Sequence, residues 1–441
     1  MKIYTIGGFS EVGKNMCAVE VGNEIVIFDM GLYLPKLLRY NEEGDPRELT
    51  TSELIKKGVL PDDSILEENI DKVKAIVVSH AHLVHIGAAS YLAGKYDCPI
   101  IGSPYTIEIL KTLVRDKEIK LKNKFIPLTS NDIYKVSDNL KLEFINITHS
   151  TVQTVLCALH TREGIFLYAN DFKFDNHPSI GKPPNYEKLE QLGNIGVKAV
   201  VLDSLNSKKE MRTPSEKVAR ELLKDVMLGV NTKNNVIVIT TFSSHIPRLK
   251  SIIEFGKHLN RKIVFLGRSL HKYVSAAEKL NIVNFKDDIE LVGFSNRVKK
   301  RLSQIEKDRK SYIIVCTGNQ GEPGSILSRM SKSDLPWKFQ DGDIVIFSCK
   351  TIPTPETIAN REILERRLKQ EKVRIFTEIH VSGHLAREDH RDFINLIKPQ
   401  HIIPAHGDID KLSGLAELAV EMGYKFGKTV HVTQNNSILE I

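Results

Sequence analysis

Three histidines lie within six residues of one another, in the segment His80-Ala81-His82-Leu83-Val84-His85. The segment directly follows an apolar run, KAIVV, that is typical of a buried strand. A loop at the end of such a strand can point alternate side chains into one pocket, and neutral imidazole is a good ligand for zinc and related divalent metals. The spacing therefore predicts a metal site, and the alternative is a chance group of core or surface histidines.

Three further residues with metal-binding side chains also follow strand-like runs. They are His149 after LEFINIT, Asp171 in LYANDF and His406 in IIPAHGD. Taken singly, each could equally be a hydrogen-bonded cap or a turn residue. Taken with the three histidines of the first segment, they indicate the site of a metal-dependent hydrolase.

The pattern of the elements that must position these residues changes along the chain. The first third alternates short β-branched runs with turn signals and helical patterns, which favours a layered α/β fold. From about residue 206, strands and helices alternate regularly, as in parallel βαβ units. Histidine motifs return near the end. We therefore expect a metal-binding domain built from residues 1–205 and 350–441, interrupted by an inserted domain at 206–349, and we expect the polar residues 36–66 to form a long loop.

Composition and charge narrow the class of protein. The chain has 441 residues, of which 41% are hydrophobic and 27% charged, and no run approaches the roughly 18 apolar residues of a membrane helix. With no apolar signal segment at the start, we expect a cytoplasmic protein without membrane contact.

The net charge of +7 is unevenly distributed along the chain. Residues 206–349 carry 26 Lys and Arg against 15 Asp and Glu, whereas the remainder carries 36 against 40. A basic inserted domain suits a polyanion partner, because neutralising phosphates releases counterions. A solvated, lysine-rich surface is the alternative.

The order of the metal-binding motifs resembles that of the metallo-β-lactamase superfamily, whose metal motif H-x-H-x-D-H is followed by a histidine, an aspartate and a last histidine. The resemblance implies an αββα sandwich with two divalent metal ions, zinc or alternatively manganese or magnesium. One ion would be held by His80, His82, His149 and Asp171, and the second by His85, Asp171 and His406.

Val84 stands where that motif has its aspartate. Valine has no lone pair, so it can neither ligate a metal ion nor accept a proton. We expect the second site to be weakened and catalysis to be impaired, although three ligands suffice for zinc in some sites. Two explanations stay open: an engineered substitution that traps substrate, or a natural relative that binds its substrate without cutting it.

The middle and the end of the chain resemble the β-CASP group of this superfamily, and within it the archaeal branch of the ribonuclease J family. Asp203-Ser204, Ser244-His245 and His384 resemble the motifs that the group places around the reacting phosphate. The loop TGNQGEP, which begins at Thr317, resembles the ribonuclease J pattern T-G-[SN]-Q-G-E-P. The chain ends soon after PAHGD, which resembles the shorter archaeal form.

The resemblance implies a 5′-to-3′ exoribonuclease that acts on single-stranded RNA with a 5′-monophosphate and releases nucleoside 5′-monophosphates. It also implies a homodimer. The expected catalytic residues are His384, Asp203, His245 and Asp171, and the expected RNA-binding residues are Ser244, Arg268, Ser269, Gly318, Asn319, Gln320 and Gly321. For His245 a helix-start residue, and for Arg268 and Ser269 a strand-ending turn, are the alternatives.

Three other functions are compatible with parts of this pattern. A cleavage-factor-like endoribonuclease shares the metal fold and the inserted domain, but the TGNQGEP loop argues against it. An RNA-binding pseudoenzyme is predicted by Val84 together with the basic insert. A thioesterase or lactamase of small substrates fits the metal motif and leaves the basic domain unexplained.

Overall fold

The computed structural model describes residues 1–43, 49–232, 234–352 and 354–441, and the side chains of residues 39–43 are not described. The chain forms two compact units, one built from Met1–Thr213 with Ser382–Ile441 and the other from Pro214–Val381. Within the described residues, no helix is long and apolar enough to cross a membrane.

The first unit contains two β-sheets. The first sheet has the order β19-β1-β2-β3-β4-β5-β6 and the second has the order β18-β11-β10-β9-β8-β7. The strands of the first sheet are β1 (Lys2–Gly7), β2 (Met16–Val21), β3 (Glu24–Phe28), β4 (Val73–Val78), β5 (Ile100–Gly102), β6 (Phe125–Pro127) and β19 (Ser437–Glu440). Those of the second are β7 (Ile133–Lys135), β8 (Lys141–Asn146), β9 (Val155–Thr161), β10 (Gly164–Ala169), β11 (Val197–Asp203) and β18 (His401–Ala405).

The two sheets pack face to face through alternate side chains of their strands. In β11, Ala199 and Val201 belong to the core shared with the first sheet, whereas Val200 belongs to the core on the opposite face. Successive strand residues point to opposite faces, so both faces of this sheet are covered. Phe28 of the first sheet lies 5.3 Å, between ring centroids, from Phe166 of the second.

Helices complete the layers of this unit and bury the outer face of the second sheet. The outer core includes side chains of the helices Tyr186–Ile195, Arg387–Ile397 and Ile409–Glu421. The fold is therefore the expected αββα sandwich. Its helices are α1 (Leu34–Glu43), α2 (Thr51–Lys56), α3 (Leu83–Ile86), α4 (Ala89–Leu92), α5 (Pro104–Asp116), α6 (Tyr186–Ile195), α13 (Arg387–Ile397) and α14 (Ile409–Glu421). Short 3-10 helices span Ser64–Lys72 and Ala93–Lys95.

The second unit is an α/β domain with one parallel sheet in the order β14-β13-β15-β12-β16-β17. The strands are β12 (Ile237–Thr240), β13 (Lys262–Leu266), β14 (Ile289–Val292), β15 (Tyr312–Cys316), β16 (Ile344–Phe347) and β17 (Arg374–Phe376). The helices are α7 (Glu216–Gly229), α8 (Ile246–His258), α9 (Arg268–Lys279), α10 (Ser295–Ile305), α11 (Ile326–Ser331) and α12 (Pro355–Gln370), with a 3-10 helix at Glu306–Ser311. The inserted, strand-helix domain expected from the sequence is confirmed.

The two units divide later in the chain than the sequence indicated, at 213/214 and 381/382 and not after residues 205 and 349. The later position of the second boundary, 381/382, has a structural cause. Strand β17 pairs in parallel with β16, and α12 contributes Leu364 and Leu368 to the core of the inserted unit. Both elements therefore belong to the insertion.

The polar segment 36–66, expected to be a loop, contains helices α1 and α2. Helix α2 begins with a capping box, in which the Thr50 hydroxyl accepts from the backbone N–H of Glu53 and the Glu53 carboxylate accepts from the backbone N–H of Thr50. Such a box stabilises a helix start in a polar segment. Residues 44–48 of this segment lie outside the described residues.

A buried ion pair stabilises the inserted unit. Arg248 is fully buried, donates to both carboxylate oxygens of Glu216 at 2.5 and 2.8 Å, and donates to the carbonyl oxygens of Ser348 and Ile379. Burial alone would raise the pKa of Glu216, but His245 and Arg248 hold it well below its usual value. The pair thus joins α7 and α8 to the ends of the strands.

We expect Glu216→Gln to lower the free energy of unfolding by about 3–5 kcal/mol, because it leaves the Arg248 charge buried without its partner. Since the folded-state pKa of Glu216 is lowered, this contribution is present above the ordinary carboxyl pKa and is lost as pH falls through the folded value. Urea denaturation at several pH values measures both effects. The exposed Glu221, replaced by Gln, serves as control and should cost less than about 1 kcal/mol. Equal stabilities of the two variants would contradict the prediction.

Candidate metal and catalytic site

The predicted metal ligands converge because their strands end at neighbouring positions. In the second sheet, His149 follows β8, Asp171 follows β10 and His406 follows β18. These strands run parallel to one another, so their carboxyl ends share one edge of the sheet. The loop after β4 of the first sheet brings His80 and His82 to the same place, and His85 follows on α3.

The structure brings together the four residues proposed for the first metal ion, and their ligand atoms lie within 4.8 Å of one another. The Nδ1 atom of His82 lies 3.1 Å from Nε2 of His80 and 3.2 Å from Nε2 of His149. The carboxylate of Asp171 approaches both of those Nε2 atoms, at 3.6 and 4.0 Å.

The three residues proposed for the second metal ion also form one cluster. Nε2 of His85 lies 3.0 Å from Oδ2 of Asp171, and Nδ1 of His406 lies 3.4 Å from Oδ1 of the same carboxylate. Asp171 therefore stands between the two clusters. Val84 precedes His85 in α3 and is partly buried. Its side chain packs close to Gly13, where an added Cβ would lie 3.2 Å from a Val84 methyl group.

Hydrogen bonds at the far side of each ring fix the ligand histidines. Nδ1 of His149 donates to the carbonyl oxygen of Gly383 at 2.8 Å, and Nδ1 of His85 donates to the Asp29 carboxylate at 2.6 Å. Ser79 donates to Asp29 through both its backbone N–H and its hydroxyl. Because Nδ1 is bonded in both rings, Nε2 of His149 and of His85 points toward the site. Proteins commonly orient metal-binding imidazoles in this way.

Three residues of the site adopt left-handed backbone conformations. The φ angles are 59° for Asp29, 53° for Asp171 and 57° for His406. Residues other than glycine seldom adopt this conformation, and the strain is tolerated where the surroundings hold the side chain in a required place. The sandwich therefore presents these three side chains at some cost to local backbone energy.

The charge states of three of the buried ligand histidines suit cation binding. Burial and the neighbouring imidazoles lower the pKa of His80 and His149 well below the usual histidine value, and burial also lowers the pKa of His406. These rings are neutral, as a metal ligand must be. Burial opposes a charge on His85 as well, but Asp171 and Asp29 raise its pKa to about 10.

The residues present fit a pair of divalent cations. Oδ1 of Asp171 is buried and has no hydrogen-bond partner within the described part of the chain. An orphaned carboxylate oxygen among imidazoles is unfavourable unless a cation or proton meets it. The donor set of histidine nitrogen and carboxylate oxygen is one that zinc accepts.

His384 forms a separate dyad beside these clusters. Its Nδ1 donates to Oδ2 of the fully buried Asp203 at 2.7 Å, and its Nε2 lies 4.0 Å from Oδ2 of Asp171. Burial opposes protonation of the ring, but Asp203 and Asp171 together raise the pKa of His384 above the usual value. The Nε2 atom of His384 therefore faces the metal ligands, and the two carboxylates favour the protonated form of its ring.

The predicted RNA-binding residues lie in the inserted unit, after three neighbouring parallel strands. Ser244 and His245 follow β12, Arg268 and Ser269 begin α9 after β13, and the loop 317–321 follows β15. Because the sheet order is β13-β15-β12, these segments share one edge, where ligands bind in many α/β sheets. A Cβ on Gly267 would lie 3.0 Å from the Thr317 side chain, so two of the segments touch.

The individual roles within this group differ. Arg268 and Ser269 are exposed, whereas Ser244, Asn319 and Gln320 are buried. Nδ1 of His245 accepts from the backbone N–H of Arg248, and its Nε2 lies 3.4 Å from Glu216. These are the contacts of a helix-start residue, and contact of His245 with a phosphate stays a prediction.

The sequence reasoning missed two residues of the site. Asp29 orients His85, and the side chain of Asn15 lies against both His85 and His406. The only signal for Asp29 was its place at the end of the strand run EIVIFDMG. Asn15 ends the glycine-containing stretch GGFSEVGKN, and its spacing in the sequence does not associate it with the histidines.

Comparisons with known families match three successive segments of the chain. Residues 19–209 match the metallo-beta-lactamase superfamily, and residues 234–365 match the family described as ribonuclease J, beta-CASP domain. Residues 372–432 match the family described as Zn-dependent metallo-hydrolase RNA specificity domain.

Curated relatives extend the likeness to the whole chain. The chain is 43% identical to ribonuclease J of Methanocaldococcus jannaschii over 441 residues, which cover 100% of this chain and 98% of the relative. It is 41% identical to ribonuclease J of Pyrococcus abyssi, over 100% of this chain and 97% of that one. A solved protein of unknown function from Enterococcus faecalis shares the fold, with a TM-score of 0.68, 17% identity and 99% coverage of both chains. The chain therefore belongs to the ribonuclease J family, within the β-CASP group of the metallo-β-lactamase superfamily.

Proposed function

We propose that this chain is a metal-dependent ribonuclease that removes nucleoside 5′-monophosphates from the 5′ end of single-stranded RNA, and that Val84 slows it. The observation that carries the proposal is the His384–Asp203 dyad facing Asp171, the carboxylate that stands between the two clusters of metal ligands. Membership of the ribonuclease J family supplies RNA as the substrate.

In this proposal two divalent cations, when bound, lower the pKa of an attacking water and neutralise charge on the phosphate. His80, His82, His149 and Asp171 hold one of them, and His85, Asp171 and His406 hold the other. Zinc is the cation that this donor set favours.

His384 supplies the proton that hydrolysis requires. Attack of water on phosphorus breaks the bond to the 3′ oxygen of the departing nucleotide, and that oxygen leaves as an alcohol once it is protonated. Asp203 and Asp171 raise the pKa of His384 and so favour its protonated ring, and Asp203 holds Nδ1 so that Nε2 is the donating atom. The product keeps its phosphate on the 5′ oxygen.

The inserted unit is proposed to bind the 5′-terminal phosphate and the backbone. Arg268 offers a guanidinium and Ser269 a hydroxyl at the start of α9, where free backbone N–H groups also favour an anion. In the neighbouring loop, Gly318 and Gly321 have φ angles of 124° and 77°, and the buried Nδ2 of Asn319 has no hydrogen-bond partner within the described residues. A phosphate or ribose oxygen would satisfy that donor.

Arg268→Ala is expected to reduce the preference for a 5′-monophosphate over a 5′-hydroxyl by about 10- to 100-fold, because one charge-assisted hydrogen bond contributes about 1.5–3 kcal/mol. Fluorescence anisotropy with two RNAs that differ only at the 5′ end measures this preference in the parent and in the variant. Both proteins are used without metal, so that the RNA is not degraded during the measurement. Arg297→Ala is the matched control, since Arg297 is an exposed arginine on α10 of the same unit. An unchanged ratio in Arg268→Ala would remove Arg268 from the proposed pocket.

Product analysis separates the candidate functions. A 3′-labelled, 5′-monophosphorylated RNA that shortens by single nucleotides supports the exonuclease, whereas discrete internal fragments support an endonuclease. Val84 favours a second candidate function, that of an RNA-binding protein without turnover. In that case the chain would bind the RNA and leave it intact, even after Val84 is replaced by aspartate. The homodimer and the cytoplasmic location stay predictions.

A further inference from the structure

Asn15 occupies the position around the second cluster where a fourth ligand belongs. The residue is 1% exposed, and its Nδ2 lies 3.1 Å from Nε2 of His85 and 2.8 Å from Nδ1 of His406. Its Oδ1 lies 3.1 Å from the same atom of His406. The side chain thus faces the two imidazole nitrogens that, with Asp171, make up the second cluster.

The separations between these groups are of the size found between ligands of one cation. Zinc ligands at about 2.0–2.1 Å from the metal lie about 3.3 Å from one another in a tetrahedron. Nε2 of His85 lies 3.0 Å from Oδ2 of Asp171, Nδ1 of His406 lies 3.4 Å from Oδ1 of the same carboxylate, and the amide nitrogen of Asn15 lies 3.1 and 2.8 Å from these two ring nitrogens. The amide of Asn15 is therefore near enough to the second cluster to share its cation.

The amide of Asn15 can be placed in two orientations that exchange Nδ2 and Oδ1. In the structure, Nδ2 donates to the carbonyl oxygen of Val84 at 3.1 Å and faces the ring nitrogens of His85 and His406, while Oδ1 accepts from Nδ2 of Asn170 at 3.2 Å. A half-turn of the amide gives up the hydrogen bond to Val84 and places the oxygen toward the histidines, where a cation would be its partner. The amide of Asn170 could make the same half-turn. Its own buried Oδ1 has no partner within the described residues and could then accept from Asn15.

The surrounding backbone makes room for this side chain. Gly8 has a φ of 87°, and a Cβ at that position would lie 2.4 Å from Oδ1 of Asn15. The backbone N–H of Asn15 donates to the carbonyl oxygen of Val84 at 3.0 Å, so the asparagine is tied to the same residue that lacks the carboxylate. Both contacts fix the amide beside the cluster.

We infer that Asn15 ligates the second cation through Oδ1 in this chain and partly replaces the aspartate that Val84 lacks. The inference rests on the second cation site of the proposed function. A neutral amide oxygen is a weaker ligand than a carboxylate, because it brings no negative charge to offset the cation. The second cation is accordingly held, but less tightly than a carboxylate at position 84 would hold it.

The test is a zinc titration, measured by isothermal calorimetry, of five metal-free proteins: the parent, Asn15→Ala, Val84→Asp, the double variant of these two changes, and Asn15→Asp. Asn15→Ala is expected to weaken the second zinc by about 10- to 100-fold in the parent and to leave the first unchanged. In the Val84→Asp background, where a carboxylate provides the fourth ligand, the same change is expected to have a much smaller effect. Asn15→Asp, which keeps the oxygen and adds charge, should bind the second zinc more tightly than the parent.

Two results would overturn the inference, and they differ. If the parent binds two zinc ions and Asn15→Ala binds the second equally well, Asn15 is not a ligand and the proposed site keeps only three. If the parent binds a single zinc at every concentration, the second cation site itself fails, and with it that part of the proposed function. If Asn15→Ala does not fold, Asn15→Asp replaces it in the test. A second-zinc affinity of Asn15→Asp no higher than that of the parent would then show that Asn15 is not a ligand.

Discussion

Replacing Val84 with aspartate is expected to raise the rate of RNA hydrolysis by roughly 100-fold, which corresponds to about 2.7 kcal/mol of transition-state free energy. The substitution places a carboxylate next to His85, at the cluster that His85 forms with Asp171 and His406. A charged fourth ligand holds the second cation more tightly than a neutral amide does. The cation would then be present during turnover at low free metal concentration.

Single-turnover degradation of 5′-monophosphorylated RNA at a buffered zinc concentration measures this effect. Val84→Asn is the matched control, since it has the shape of aspartate without the charge and should gain far less. A Val84→Asp protein that is no faster than the parent would show that position 84 does not limit catalysis.

His384→Gln is expected to lower the rate by about 10²- to 10⁴-fold, the usual contribution of a general acid. Glutamine cannot donate the proton to the leaving 3′ oxygen, whereas the metal ligands are unchanged. The rates are compared in the Val84→Asp background. RNA affinity and zinc content should stay close to those of Val84→Asp itself. An unchanged rate would assign the proton to another group.

Asp203→Asn provides a second readout for the same dyad. A general acid works when protonated, so activity is lost as pH rises through the pKa of His384. The carboxylate of Asp203 contributes to the raised pKa of His384, and its removal should move this loss of activity to lower pH. A pH profile with the same alkaline limb in both proteins would argue that Asp203 only supports the fold.

Much of the site could be predicted because its ligands follow strongly apolar strand runs. His149, Asp171 and His406 each come within a few residues of such a run, and parallel strands place their ends together without any further information. Asp29 also ends a strand, but its role depends on contacts with Ser79 and His85, which lie 50 and 56 residues away. Sequence spacing does not report such contacts.

The boundaries of the insertion were harder to predict for a similar reason. Helix α12 and strand β17 have ordinary helix and strand patterns. They are assigned to the inserted unit only by the pairing of β17 with β16 and by the packing of Leu364 and Leu368 of α12 in its core. In the polar segment 36–66, charge obscured the helices, although Thr50 and Glu53 of the capping box were visible in the sequence. Local patterns therefore predicted the elements better than they predicted which domain each element joins.

We have proposed that this chain holds two cations and that Val84 weakens the binding of the second. The most direct test is the number of zinc ions bound per chain in the parent and in Val84→Asp, counted by mass spectrometry after equilibration at a series of buffered zinc concentrations. We predict one tightly bound zinc in both proteins and a second that Val84→Asp retains at zinc concentrations where the parent has lost it. Identical occupancy of the two proteins at every concentration would contradict the account.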